Sequence, residues 1–193
     1  MDAEVNVKNI FLETERLILR DYRASDLQDF YEYASEKDVG EMAGWNYHKS
    51  IEESKAIMEL FLEENKTMAI VYKENNKVIG SIGIEEIREE VIGNMYGDLT
   101  GRELGYALSK KYWGMGIMPE ALKCLIKYLF EEENYDFLYV CHFNSNIRSQ
   151  RVIEKCGFIF LKEEILSTTV KKEEAGKVYI LKNRLKSRKL EKV

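Results

Sequence analysis

Apolar residues follow two rhythms along this chain, and each change of rhythm marks an element. Leu17-Ile18-Leu19, between Arg16 and Arg20, reads as a first strand. Leu27, Phe30, Tyr31 and Ala34 then recur at helical spacing behind Ser25-Asp26-Leu27-Gln28, which has the capping-box form. Residues 40–48 are aromatic and punctuated by glycine. Ser50-Ile51-Glu52-Glu53 is a second capping box, opening a helix to about Asn65 with Ile51, Ala56, Ile57, Leu60 and Phe61 apolar. Two β-rich runs, 68–72 and 78–84, flank Glu74-Asn75-Asn76-Lys77, a hairpin signature. The polar stretch 85–101 reads as a long loop, and 103–108 as the next strand.

After Pro119, Leu122, Leu125, Ile126 and Leu129 share one helical face. The following run, 137–143, is almost wholly apolar, as in a strand covered on both faces. Strand, helix, strand in that order implies a right-handed parallel crossover. Asn144-Ser145-Asn146 caps another helix, with Val152, Ile153 and Cys156 inward and Gly157 as its stop. Residues 158–170 and 178–181 read as a last antiparallel pair around a turn at 171–176. The order β-α-α-β-β-β-α-β-α-β-β predicts an α/β (α+β) mixed sheet with helices on both faces and one parallel crossover, between its fourth and fifth strands.

Composition narrows the partners. The 193 residues, 45% hydrophobic and 33% charged, suit one domain over 1–183 with a basic, solvated tail at 184–193. A net charge of −5 argues against a broad nucleic-acid surface and fits a cationic acceptor. Cys124, Cys141 and Cys156 lie within apolar patterns without paired spacing, so reduced, buried thiols are expected and no metal. The N-terminus lacks a signal-peptide pattern and no apolar run approaches bilayer length, so a cytoplasmic protein without a membrane partner is expected.

The chemistry concentrates in Lys111-Tyr112-Trp113-Gly114-Met115-Gly116-Ile117-Met118-Pro119-Glu120-Ala121-Leu122, between that fourth strand and the long helix. Gly-x-Gly lets the backbone bend tightly and aim successive N–H groups at one spot. Pro119 suits a first helical turn. Such a turn at a helix N-terminus suits phosphate, although the same junction also reads as ordinary turn chemistry. The Rossmann fingerprint fails, because Pro119 stands where the third glycine belongs, and no P-loop Gly-Lys-Ser/Thr exists.

Four stretches in order resemble the GNAT N-acetyltransferase superfamily, and within it the ribosomal-protein N-terminal acetyltransferases. Glu13-Thr14-Glu15-Arg16-Leu17-Ile18-Leu19-Arg20 looks like that branch's first strand. Lys111-x-x-Gly114-x-Gly116 is similar to the acetyl-CoA loop, with lysine at its first position. Pro119-Glu120-Ala121-Leu122 resembles the branch's Glu-Ala-Leu. Asn146-x-x-Ser149, followed by residues 152–158, resembles its closing motif.

The resemblance implies the GNAT fold and a binding site for acetyl-CoA. Backbone amides of Trp113, Gly114, Met115, Gly116, Ile117 and Met118 would hold its pyrophosphate, with Lys111 assisting as a charge. The strand edge at Tyr106, Ala107 and Leu108 would pair with pantetheine. Asn146 would combine helix capping with a pantetheine hydrogen bond. An amine would attack the thioester directly, without an acyl-enzyme. Glu103 is the first choice of base and Glu85 the second, with Glu163 or Glu164 further options; Glu103 reads equally as a solvated strand-end carboxylate. The superfamily's acid tyrosine is replaced by Ile153, which leaves Ser149 as the implied proton donor or pantetheine contact. Cys156 is expected to pack rather than react. Trp45, Tyr47 and His48 line the acceptor side or simply pack. The resemblance allows a monomer or a homodimer. A non-catalytic acyl-CoA-binding or sensing module on the same fold is the second functional reading, motivated by the missing tyrosine.

Overall fold

The structure is a computed structural model that describes residues 1–93, 96–168, 173–184 and 186. Its strands are β1 (Phe11–Glu13), β2 (Leu17–Asp21), β3 (Thr67–Tyr72), β4 (Lys77–Glu85), β5 (Gly101–Leu108), β6 (Phe137–Phe143), β7 (Ile159–Ser167) and β8 (Glu173–Lys182). Its helices are α1 (Leu27–Ala34), α2 (Val39–Ala43), α3 (Ile51–Glu64), α4 (Glu89–Ile92), α5 (Ile117–Glu131) and α6 (Ile147–Lys155). Among the described residues no helix is long and apolar enough to cross a membrane.

One mixed sheet runs β1-β2-β3-β4-β5-β6-β8-β7, antiparallel except where β5 meets β6. Among the described residues the strands form the expected mixed sheet with a single parallel strand pair. That pair corresponds to the fourth and fifth strands of the sequence reading, because β1 adds an edge strand that patterning missed. Three residues with only Leu12 half-buried carry too little alternation to register.

Several local expectations change. Ser25 lies inside a 3-10 turn at Ala24–Asp26, so the first capping box does not form there. Asp26 instead accepts the Arg23 N–H at 2.8 Å and pairs with Arg20 at 2.7 Å. At the second box Ser50 Oγ accepts the Glu53 N–H at 3.3 Å, while the Glu53 carboxylate reaches back one residue further, to the Lys49 N–H. The aromatic stretch holds α2, and the loop at 85–101 holds α4. The expected turn at 171–176 is shorter, since Glu173 to Gly176 already pair in β8, and its residues 171–172 lie outside the described residues. Most of the expected basic tail also lies outside them; its Lys186 pairs with Asp136 at 2.7 Å.

Leu104, Leu108, Ile82 and Ile84 pack with α5 on one face of the sheet, and Ala107, Ala69 and Val71 with α1 and α3 on the other. Glu103, Gly105, Gly83 and Glu85 therefore face away from α5. The β5–β6 pairing covers only Gly101–Glu103 against Phe137–Tyr139. Past that point the strands diverge, leaving one side of residues 104–108 without a partner strand. The fold's working feature is this fork.

Candidate functional site

A cleft of about 370 Å³ opens at the fork. It is lined by Tyr106, Ala107 and Leu108 of β5, by Trp113, Gly114, Gly116, Ile117 and Met118, and by Asn146 and Ser149. These are most of the residues that the sequence singled out, gathered from separate stretches. Val39, Met42 and Ala43 of α2 close one side. Trp45, Tyr47 and His48 are not in that lining. Trp45 packs so closely on Gly40 that a Cβ there would lie 2.5 Å from its ring, and His48 Nδ1 sits 2.7 Å from Ser54 Oγ.

Gly114 and Gly116 hold φ of 79° and 75°, left-handed values that other residues adopt only with strain. A Cβ on Gly114 would meet nothing within 4 Å, so the space above the turn is open. Gly116 is the N-cap of α5, and the Ile117 and Met118 N–H groups start that helix without helical acceptors. Pro119 removes one donor that would otherwise need a partner. Open space, free amides and the positive end of a 15-residue helix make a cradle for phosphate.

The turn is braced from behind. Glu120 accepts hydrogen bonds from Thr14 Oγ1 at 2.6 Å, the Arg16 N–H at 3.0 Å and Arg16 Nε at 2.7 Å. Arg16 Nη1 in turn donates to the Met115 carbonyl at 2.9 Å. Burial alone would raise the Glu120 pKa, but these donors and the Arg16 charge pull it below the usual carboxylate value. Two of the four family-like stretches are thus two halves of one clamp.

Lys111 points elsewhere than expected, while the expectation for Met115 concerns its backbone N–H and not its side chain. The 3-10 turn at Lys110–Tyr112 swings the Lys111 ammonium to Glu32 Oε1 at 2.5 Å, away from the cleft. The Met115 side chain is exposed and outside the lining. Cations do reach the cleft, from Arg148, Arg151 and Lys155 of α6. Sequence reasoning missed them, although their spacing on a helix opened by Asn146 was a usable signal.

Asn146 caps α6, its Oδ1 accepting the Ser149 N–H at 3.0 Å while Nδ2 donates to the Met42 carbonyl at 3.1 Å. Ser149 Oγ lies 2.7 Å from the Tyr106 hydroxyl. Burial raises the Tyr106 pKa, and the Ser149 bond offsets it only in part, so this phenol stays protonated at neutral pH. Ile153 is fully buried, inward as the helical pattern predicts. Burial lifts the Cys156 thiol to about 11, consistent with packing rather than reactivity.

Glu103 stands at the fork but is not a solvated carboxylate. It accepts two bonds from Arg88, at 2.7 and 2.6 Å, and one from the Tyr139 hydroxyl at 2.7 Å. Burial opposes the Arg88 charge, yet Glu103 raises its pKa overall. Glu85, its register partner across β4–β5, is less committed. Glu85 Oε2 meets Lys66 at 3.2 Å, while Oε1 folds back over Gly83, 2.2 Å from where a Cβ would be. Gly83 in turn pairs with Gly105, whose own Cβ position is open. Glu164 is tied to Lys162 at 2.6 Å.

Comparison with known proteins gives this geometry a context. A family model described as "Acetyltransferase (GNAT) domain" matches residues 16–159. A Bacillus licheniformis protein named "Uncharacterized N-acetyltransferase p20" is 31% identical over 129 residues, covering 64% of this chain and 67% of that protein. Among solved structures, a ribosomal-protein-S5-alanine acetyltransferase from Vibrio fischeri superposes with a TM-score of 0.69 at 20% identity, covering 91% and 97%. A spermidine N-acetyltransferase from Vibrio cholerae, in complex with CoA and spermine, superposes with a TM-score of 0.71 at 14% identity, covering 89% and 98%. At those identities the structures establish a common fold.

Proposed function

Because the chain belongs to the GNAT acetyltransferase family, we propose that it transfers an acetyl group from acetyl-CoA directly to a primary amine. The observation that carries this reading is the cleft itself. There the glycine turn, the unpaired edge of β5 and the Tyr106–Ser149 hydroxyl pair converge.

Acetyl-CoA, when bound, supplies the activated acyl group. The Gly114–Met118 amides would hold its pyrophosphate, and the free edge of residues 104–108 would pair with the amides of its pantetheine arm. Backbone N–H groups on that edge are available to an oxyanion without reorganisation. Ser149, hydrogen-bonded to a protonated Tyr106, is positioned to return a proton to a leaving thiolate. Asn146 would orient the mouth while keeping its cap.

The amine side favours Glu85 as the base. An amine with an ordinary pKa near 10.4 is mostly charged at neutral pH and must lose a proton before attack. Glu85 Oε1 accepts no hydrogen bond among the described residues and lies over Gly83, across the strand pair from Gly105, whose Cβ position is open. Glu103 already takes three hydrogen bonds, so its part is to hold Arg88 and Tyr139 in place. The acceptors named for the two fold neighbours, a ribosomal-protein alanine and spermidine, mark the classes to screen.

The test is thiol release from acetyl-CoA with a panel of N-terminal peptides, polyamines and aminoglycosides. Turnover that falls about a hundredfold in Glu85→Gln and recovers at high pH supports the assignment, in the general-base range. CoA binding without release from any amine would favour the second reading, a non-catalytic acyl-CoA module. The engagement of Glu103 is the observation on its side.

A further inference from the structure

Arg16 and Glu120 stand outside the cleft lining, yet together they grip the glycine turn at one atom. The Arg16 guanidinium divides its nitrogens between two acceptors. Nε and Nη2 go to Glu120 Oε2 at 2.7 and 2.6 Å, and Nη1 goes to the Met115 carbonyl at 2.9 Å. Glu120 is fixed in its turn. Its Oε1 accepts from Thr14 and from the Arg16 N–H, and its own N–H donates to the Gly116 carbonyl at 3.2 Å. The guanidinium is thus held by its carboxylate while its free end holds the turn.

The Met115 carbonyl and the Gly116 N–H belong to one peptide plane. No peptide bond among the described residues is cis, so these two groups point in opposite directions. Arg16 draws the carbonyl to its own side, and the Gly116 N–H faces the other way. That N–H donates to no acceptor among the described residues, and Gly116 lines the cleft. Turning the plane over would take φ at Gly116 from 75° to a negative value, and glycine populates both signs about as readily. The turned plane would offer a carbonyl oxygen to an anion. We infer that Arg16 is a positioning residue: it locks the 115–116 peptide with its N–H toward the cleft, and Glu120 holds the lock. On the acetyl-CoA reading, on which this rests for its ligand, the lock presets the turn for the donor.

Arg16→Lys separates the lock from mere bracing. It keeps the charge and a partner for Glu120 but loses the planar fork that serves two acceptors at once. Titration calorimetry with CoA and a crystal structure of the ligand-free variant are the two readouts. CoA affinity should drop at least about threefold, the loss expected when a third of the molecules keep the competent orientation. The crystal structure should show the 115–116 peptide turned over or in two orientations, with β2 and α5 in place. A smaller drop, or a peptide in its original single orientation, overturns the lock. If the unsubstituted protein binds no CoA, the acetyl-CoA reading falls, and the peptide's orientation in the variant still decides the lock.

Discussion

The two ends of β5 are built on opposite plans. Its C-terminal end runs from a strand edge into a glycine turn, and what it offers is backbone: free amides, left-handed glycines and open space. Its N-terminal end is closed by side chains, where Glu103, Arg88 and Tyr139 satisfy one another in a mostly buried cluster. A site made of backbone is harmed by adding atoms and tolerates the loss of a side chain. A site made of a buried ion pair is harmed by removing either partner. The C-terminal end is thus preformed by chain geometry, and the N-terminal end by charge.

That contrast is open to attack at both ends. The largest effect is expected from Arg88→Met, which leaves Glu103 buried without its counter-charge and costs about 3 kcal/mol in urea unfolding. Arg88→Met/Glu103→Leu should recover more than half of the loss. A single variant within about 1 kcal/mol of the parent would show that charge does not hold this end. Next comes Gly114→Asp, which forces a side chain into a left-handed position and places a carboxylate where phosphate would lie. CoA affinity should drop about a hundredfold, or ~2.7 kcal/mol, with the fold intact by circular dichroism. Unchanged affinity would remove the glycine turn from the donor site.

The smaller effects sharpen the picture. Burial lowers the pKa of both His48 and His142 below 6.5, so the unfolded chain binds more protons than the folded one as pH falls through that value. Their neutral-state contribution is complete above about pH 6.5 and is lost on acidification below it. Tm should therefore fall below pH 6.5, ahead of the carboxylates, and His48→Gln/His142→Gln should flatten that slope. The smallest effect belongs to Lys111→Ala. Its ammonium already pairs with Glu32, so CoA affinity should change by less than about twofold. A tenfold loss would return Lys111 to the donor site.

How legible each half was follows from what builds it. Backbone features leave residue types that sequence records directly: Gly114 and Gly116 for the turn, Pro119 inside the first turn of α5, Asn146 for the cap. Apolar patterning likewise placed the sheet and its one parallel crossover. Side-chain pairings over long separations leave no such trace. Arg88 lay in a stretch read as loop, and nothing local announced that it would meet Glu103. Lys111 points toward α1 because a 3-10 turn rotates it there, and a motif position does not encode that rotation. Short elements failed for a third reason: β1 and α2 are too brief for their periodicity to exceed that of the surrounding turns.

The fork has a consequence for the behaviour of the protein in solution. Strands at the rim of a sheet are where stray extended chains add on, and proteins commonly guard them with charge, bulges or proline. Here a run of hydrogen-bonding groups with no partner strand on one side lies in the middle of the sheet. Whatever pairs with residues 104–108 doubles as their protection. Anything that occupies the fork and binds only the native state stabilises it in proportion to the logarithm of its concentration. Purification and storage with a fork-filling ligand should therefore suppress self-association as well as raise Tm.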